Sequence, residues 1–270
     1  YVIKFIREPI FPAEIIEQQS AFSDLLRKNG ILTPYRRTRN GHYCVPYEKA
    51  GLQMSVTLEE WVGEKLQHID PELFAQIGAL LGKIHRISQK SGMKIGFSLL
   101  YNEITAHKDT SFERLWHGVS HDFIPQAEEA RILALYEKRL TKVKGIWSSL
   151  PRAAVQGDIY SCNNIARRDG RLAVYDFNLA GDEVLIGDIL LCWFRTVFDE
   201  NRQQDIRCFS TEELWRCLVT AYQAERKLTA AEKQVLPDAY ALLGVVYYTK
   251  LLAFQVQTGR KAEAVRNYPF

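Results

Sequence analysis

Apolar and polar positions alternate at the start of the chain and then change period. Tyr1 to Ile6 reads as a strand with Lys4 as its only charge. Pro12 opens a helix from about Ala13 to Lys28, with Ile15, Ile16, Phe22, Leu25 and Leu26 as its stripe and Asn29-Gly30 as its stop. Residues Pro34 to Trp61 read as strands, with Asn40-Gly41 as a hairpin turn and Met54 to Trp61 as a further strand. Val62-Gly63 closes this β-rich part. From Pro71 the period is helical: Leu73, Phe74, Ile77, Leu80, Leu81, Ile84 and His85 share one buried face. Further helices are predicted near Ser111–His117, Gln126–Ile146, Thr211–Lys227 and Thr229–Gln257. The pattern divides the chain into a small β-rich lobe, residues 1–63, and a large mainly helical lobe, residues 64–270. No internal repeat or low-complexity tract interrupts it.

One island of strand lies inside the helical half. Asp169-Gly170 stands between two apolar runs, the strongest short-range signal for a two-residue hairpin turn. Counting outward pairs Arg168 with Arg171, Arg167 with Leu172 and Ile165 with Val174, and places Asn163 opposite Asp176. Directly opposed side chains lie roughly 5 Å apart at Cβ. Asp158 enters from the loop before. A carboxamide and two carboxylates at one hairpin end are hard oxygen ligands that suit magnesium, which takes one or two carboxylates plus substrate phosphates. A polar pair ending a hairpin would look the same in register, but polar residues at the end of an apolar strand need a reason.

Composition narrows the class without choosing the chemistry. The 270 residues are 47% hydrophobic and 25% charged, ordinary for a globular chain with a sizeable core. The net charge of +3, without a basic block, argues against a nucleic-acid partner. Cys44, Cys162, Cys192, Cys208 and Cys217 form no zinc-type spacing and read as reduced, buried thiols of a cytoplasmic protein. The longest apolar run, Ala239 to Phe254, holds Lys250 and is shorter than a membrane span, so no membrane partner is expected.

A lone Lys on a strand, a helix, the run Gly157-Asp158-Ile159-Tyr160-Ser161-Cys162-Asn163, a hairpin and then Tyr175-Asp176-Phe177 together resemble the protein-kinase-like phosphotransferases, in the aminoglycoside and choline kinase branch. Thr57 to Gly63 is similar to the hinge of that family, and Ile77 to His85 to its first large-lobe helix. Asp182 and Asp188 fall where the family often has acids. The sequence departs from the pattern at Gln156 and Tyr160, where histidines are usual. It also lacks the glycine-rich strand-turn-strand before the lysine strand. The expectation is that the chain is a fragment or has no phosphate-covering loop.

The resemblance implies an α+β, two-lobed kinase-like fold with a catalytic β-hairpin. It implies an ATP-dependent phosphotransferase, or one using another nucleoside triphosphate, that acts with Mg2+ on a hydroxyl of a small molecule such as an aminoglycoside or choline. Asp158 would orient the acceptor hydroxyl and take its proton late in transfer. Asn163 and Asp176 would hold the metal. Lys4 would meet the α- and β-phosphates, with Glu17, or else Glu14, as its helix partner. Glu59, Glu60, Trp61 and Val62 would form the hinge at adenine. His85 reads as a satisfied core histidine, and Asp188 as a support of the catalytic loop. Asp182, Glu183, Asp199, Glu200 and Asp205 either wall a site for a cationic acceptor or form a solvated surface. A catalytically weak or inactive binding protein on the same fold, and a metal-dependent hydrolase, are the competing readings.

Overall fold

The computed structural model describes residues 1–7, 11–66, 68–105, 126–160, 164–198 and 208–258. The chain opens with β1 (Val2–Arg7), α1 (Ala13–Lys28), β2 (Cys44–Lys49) and β3 (Leu52–Glu59). These strands form one antiparallel sheet in the order β1-β3-β2. The β2–β3 turn is Ala50-Gly51, both at positive φ, and the predicted Asn40-Gly41 turn forms as well. Asn40-Gly41 does turn the chain, but it joins only the bridge between Arg39 and His42. Alanine carries no turn signal, so Gly51 alone marks this hairpin in the sequence.

Helix α1 runs over the predicted residues. Its Ile16 joins Ile6 and Cys44 in a small core under the sheet. Its Phe22 and Leu26 join the main core instead, where Phe22 meets Phe177 edge-on at 5.9 Å between centroids. One helix is thus fastened to both halves. Each fully buried aromatic of this kind contributes roughly 1.5–3 kcal/mol.

β4 (Glu64–Lys65) leaves the small sheet and pairs with β6 (Ile165–Arg168), which pairs with β7 (Arg171–Val174). The hairpin register agrees with the count from the turn: Arg168 faces Arg171, Arg167 faces Leu172 and Ile165 faces Val174. Asp169 and Gly170 both have positive φ, as a two-residue turn of this hand requires. Leu32 bridges Ala173 on the free edge of β7, with Val174 N donating to Leu32 O at 2.8 Å.

The helical half contains α2 (Pro71–Ser91), α3 (Leu100–Thr105), α4 (Gln126–Trp147), α5 (Leu185–Val197), α6 (Thr211–Glu225) and α7 (Ala230–Thr258) among the described residues. Asp70 caps α2 by accepting from Leu73 N at 2.7 Å, and Gly92 ends it in a left-handed conformation. α2 and α6 approach so closely that a Cβ on Gly78 would lie 2.1 Å from Leu218 O. β5 (Arg152–Val155) and β8 (Gly181–Val184) form a second small antiparallel pair beside them. The predicted helix near Ser111–His117 lies outside the described residues. No described helix is long and apolar enough to cross a membrane. Cys44 and Cys192 are buried as expected, but Cys208 is exposed.

Candidate active site

Three segments bring the site together: β1, the loop after β5 and the turn after β7. Lys4 lies on β1 opposite Thr57. Its Nζ sits 2.7 Å from Glu59 Oε1 and donates to Asp176 Oδ1 at 3.1 Å. Asp176 lies two residues beyond β7 in a left-handed backbone conformation, φ 55°, and leads into the 3-10 turn Phe177–Leu179. A lysine and an aspartate 172 positions apart therefore meet through the fold.

Asp158 follows Gly157 directly. Gly157 has φ 79°, and a Cβ there would lie 2.6 Å from Leu179 O, so the loop passes against the turn that carries Asp176. Gln156 fastens the two together. Its Nε2 donates to Tyr175 O at 3.1 Å and Asp176 O at 2.7 Å, while its Oε1 accepts from Asp158 N at 2.8 Å. The residue that departs from the expected histidine is thus a buried clamp between the two carboxylate-bearing segments.

The Asp158 carboxylate is held from two sides. Asn164 Nδ2 donates to Oδ2 at 2.5 Å, and Arg195 Nη1 donates to Oδ1. Arg195 comes from α5, where it also reaches Gly157 O at 3.3 Å and Tyr247 Oη at 3.2 Å. Its guanidinium lies 5.5 Å from the centre of the Tyr160 ring. Burial pushes the Asp158 carboxyl pKa up, and the charges of Asp176 and Asp188 push the same way against Arg195 and Asn164. Burial works against the Arg195 charge, but Tyr247 and Asp158 outweigh it and raise its pKa.

Not every expected residue takes its expected place. Asn163, the second proposed metal ligand, lies outside the described residues. Glu17 is not beside Lys4: its carboxylate accepts from Tyr43 N at 3.1 Å and Cys44 N at 2.9 Å, tying α1 to the start of β2. Lys4 meets Glu59 instead, the diagonal neighbour two residues beyond Thr57 on the same face of the sheet. Glu59 was expected as a hinge residue known only by its backbone, yet its side chain is buried between Lys4 and Arg36. The neighbouring Glu60 N is already given to Tyr35 O at 2.9 Å, and its carboxylate pairs with Arg168 at 3.3 Å. Trp61 is exposed and Val62 buried.

The acidic wall takes a different form as well. Asp182 accepts from Ile95 N and Gly96 N, each at 3.0 Å. Glu183 accepts from Ser98 Oγ and from the amides of Leu99, Leu100 and Tyr101. Both are buried and hold the approach to α3 in place. Asp199, Glu200 and Asp205 lie outside the described residues. His85 is a satisfied core histidine, 2.9 Å from both Tyr222 Oη and Asp188 Oδ2. Among the described residues, Asp188 bonds to His85 on α2.

Sequence reasoning passed over Arg36, Asn164 and Arg195. Arg195 lies on a helix that no capping residue announces, and Arg36 in an irregular segment. Asn164 could have been noticed as the residue opposite Tyr175, one step inside the expected pair.

Asp176 offers a part-exposed carboxylate with a lysine beside it. That donor set fits a magnesium ion carried in on phosphates, where the ligand supplies the remaining oxygens. It does not resemble a metal cage made by protein alone: among the described residues, no group of three or more His, Cys, Asp or Glu could hold a metal.

Comparison with known proteins bears on the fold and the family. A homoserine kinase of Hyphomonas neptunium is 28% identical over 131 residues, which is 47% of this chain and 40% of that protein. The chain thus matches less than half the length of this curated relative. Among solved structures, a microcompartment-associated aminopropanol kinase superposes with a TM-score of 0.66 at 18% identity, covering 96% of this chain and 86% of the other. The amicoumacin kinase hAmiN superposes with a TM-score of 0.62 at 17% identity, covering 94% and 75%. These likenesses show a kinase-like fold. A family model described as the phosphotransferase enzyme family matches residues 1–241, and the chain belongs to that family.

Proposed function

We propose that the chain transfers the terminal phosphoryl group of ATP, or of another nucleoside triphosphate, to a hydroxyl of a small molecule. The observation that carries this reading is the meeting of Lys4, Asp176 and Asp158 from three distant segments, with Gln156 joining the last two. Phosphoryl transfer has a loose transition state, so the protein's work is mostly positioning and charge neutralisation.

Lys4 would neutralise the inner phosphates. Asp176, with Asn163, would hold magnesium, whose chemistry would be to offset the charge on the phosphates. Asp158 would accept a hydrogen bond from the acceptor hydroxyl and receive its proton late, as the new O–P bond forms. Burial raises its basicity for that task. Arg195 and Asn164 would keep the carboxylate pointed into the site.

The relatives' names suggest homoserine and aminopropanol as the first acceptors to try, and choline and aminoglycosides follow from the resemblance read in the sequence. With Asp182 and Glu183 spent on backbone amides, neither supports a preference for a cationic acceptor. The test is acceptor-dependent release of ADP from magnesium and ATP by the full-length protein across that panel. Turnover lost in Asp158→Asn is the expected result. Turnover that survives the substitution would overturn the assignment.

One observation favours a second reading, a binding protein of weak or no activity. Arg195 already occupies the Asp158 carboxylate. Nucleotide binding without any acceptor-dependent turnover would support it.

A further inference from the structure

A lysine that meets phosphates must be held in place by an acid. The sequence points to an acid on α1 for that task, yet the structure spends the buried α1 side chains elsewhere. Gln19 Nε2 donates to Asn178 O at 2.8 Å and Ala180 O at 3.0 Å. Ser20 Oγ accepts from Arg36 Nη1 at 3.0 Å. Glu17 is taken by two backbone amides.

What stands beside Lys4 is a chain of alternating charges. Arg36 Nη2 lies 3.0 Å from Glu59 Oε2, Glu59 Oε1 lies 2.7 Å from Lys4 Nζ, and Lys4 reaches Asp176. The side chains of Arg36 and Glu59 are each only 4% exposed. Lys4 faces Thr57, so Glu59 is its diagonal neighbour on the same face of the sheet, within reach of a long side chain. Burial pulls the Arg36 pKa down, and the charges of Glu59 and Asp176 oppose it. A buried carboxylate is paired through one oxygen with a buried guanidinium, and its second oxygen is left for the lysine.

We propose that Glu59 is the residue that positions Lys4, with Arg36 locking Glu59, so that strand β3 does the work expected of helix α1. The inference rests on the reading of Lys4 as the phosphate lysine. It explains why two carboxylates flank Lys4. Asp176 would turn to the metal and phosphates when nucleotide binds, and Glu59 would keep Lys4 from following it. The lysine site is then built when β1 pairs with β3, without any movement of α1.

The test is the affinity of the full-length protein for magnesium and AMP-PNP, measured by calorimetry, with folding followed by circular dichroism. Glu59→Gln should weaken binding roughly tenfold or more, as expected for a lost charge-assisted contact. Glu59→Asp should do the same: it keeps a charge for Arg36 but falls a methylene short of Lys4. Glu17→Gln should leave affinity unchanged. In a Lys4→Ala background, Glu59→Gln should have little further effect, because Glu59 acts through the lysine. If Glu59→Gln fails to fold, Arg36→Met combined with Glu59→Gln removes both buried charges and keeps the comparison. Folded Glu59 variants with unchanged affinity would overturn the proposal, as would losses that add fully to that of Lys4→Ala. If Lys4→Ala itself binds as well as the parent, the phosphate-lysine reading falls, and this proposal with it.

Discussion

Arg195 donates to the carboxylate of Asp158 from 37 positions away, and is the one residue of α5 that is not fully buried. Every other side chain from Leu185 to Val197 is buried. The helix therefore presents a single cation to the site, and that cation rests on the proposed proton acceptor.

The consequence is a pH dependence. Burial raises the Asp158 pKa, and Arg195 opposes the rise. Replacing Arg195 with Met removes the opposition, so the carboxylate should hold its proton to higher pH. The acid limb of kcat/KM against pH should move upward in Arg195→Met. A limb that stays in place would mean that Asp158 does not set it.

Asp158→Asn should lower kcat by at least about a hundredfold while the fold persists. Its stability carries a separate signature. A carboxyl whose folded pKa lies above its unfolded value contributes stability that is present below the unfolded value, here near 3.8, and lost as pH rises through the folded value. At low pH the parent and the variant both place a neutral group beside Arg195. The melting temperature of Asp158→Asn relative to the parent should therefore climb as pH is raised from the acid side. A difference that stays flat would show that burial does not penalise the charge.

Gly157→Ala should destabilise by at least about 1 kcal/mol, because the new Cβ meets a backbone oxygen and the backbone has positive φ. Denaturant unfolding checks the stability. Because the loop carries Asp158, kcat should fall more than acceptor KM rises.

The readable parts of the site were those made by local rules. Asp169-Gly170 fixes a turn, the turn fixes register, and the register runs from Arg168 and Arg171 to Ile165 and Val174. Helix α1 was equally legible from Pro12 and the stripe of Ile16, Phe22 and Leu26. Helix α5 was not, because Val184 at its N-cap gives no capping signal and the run after it is mostly apolar. With it went Arg195. Glu59 was misread for a related reason: the acid beside Lys4 was sought on the next element in sequence, whereas strand pairing supplied it from 55 positions on. Contacts made by non-local pairing leave no short-range trace.

Asp182 tests whether acids after the metal site serve the acceptor or the fold. In the sequence it reads equally as part of an acidic wall and as solvated surface. In the structure its two oxygens accept from Ile95 N and Gly96 N, and its own carbonyl accepts from Arg152 Nε at 2.8 Å. An amide in place of the carboxylate satisfies one of the two donors and turns an N–H toward the other. Asp182→Asn should therefore cost roughly 1–3 kcal/mol of stability, the usual penalty for a buried donor left unpaired. Acceptor KM should be unchanged at temperatures where the variant is folded. A large rise in KM for cationic acceptors alone, with stability intact, would restore the wall and place Asp182 in contact with the acceptor's charge.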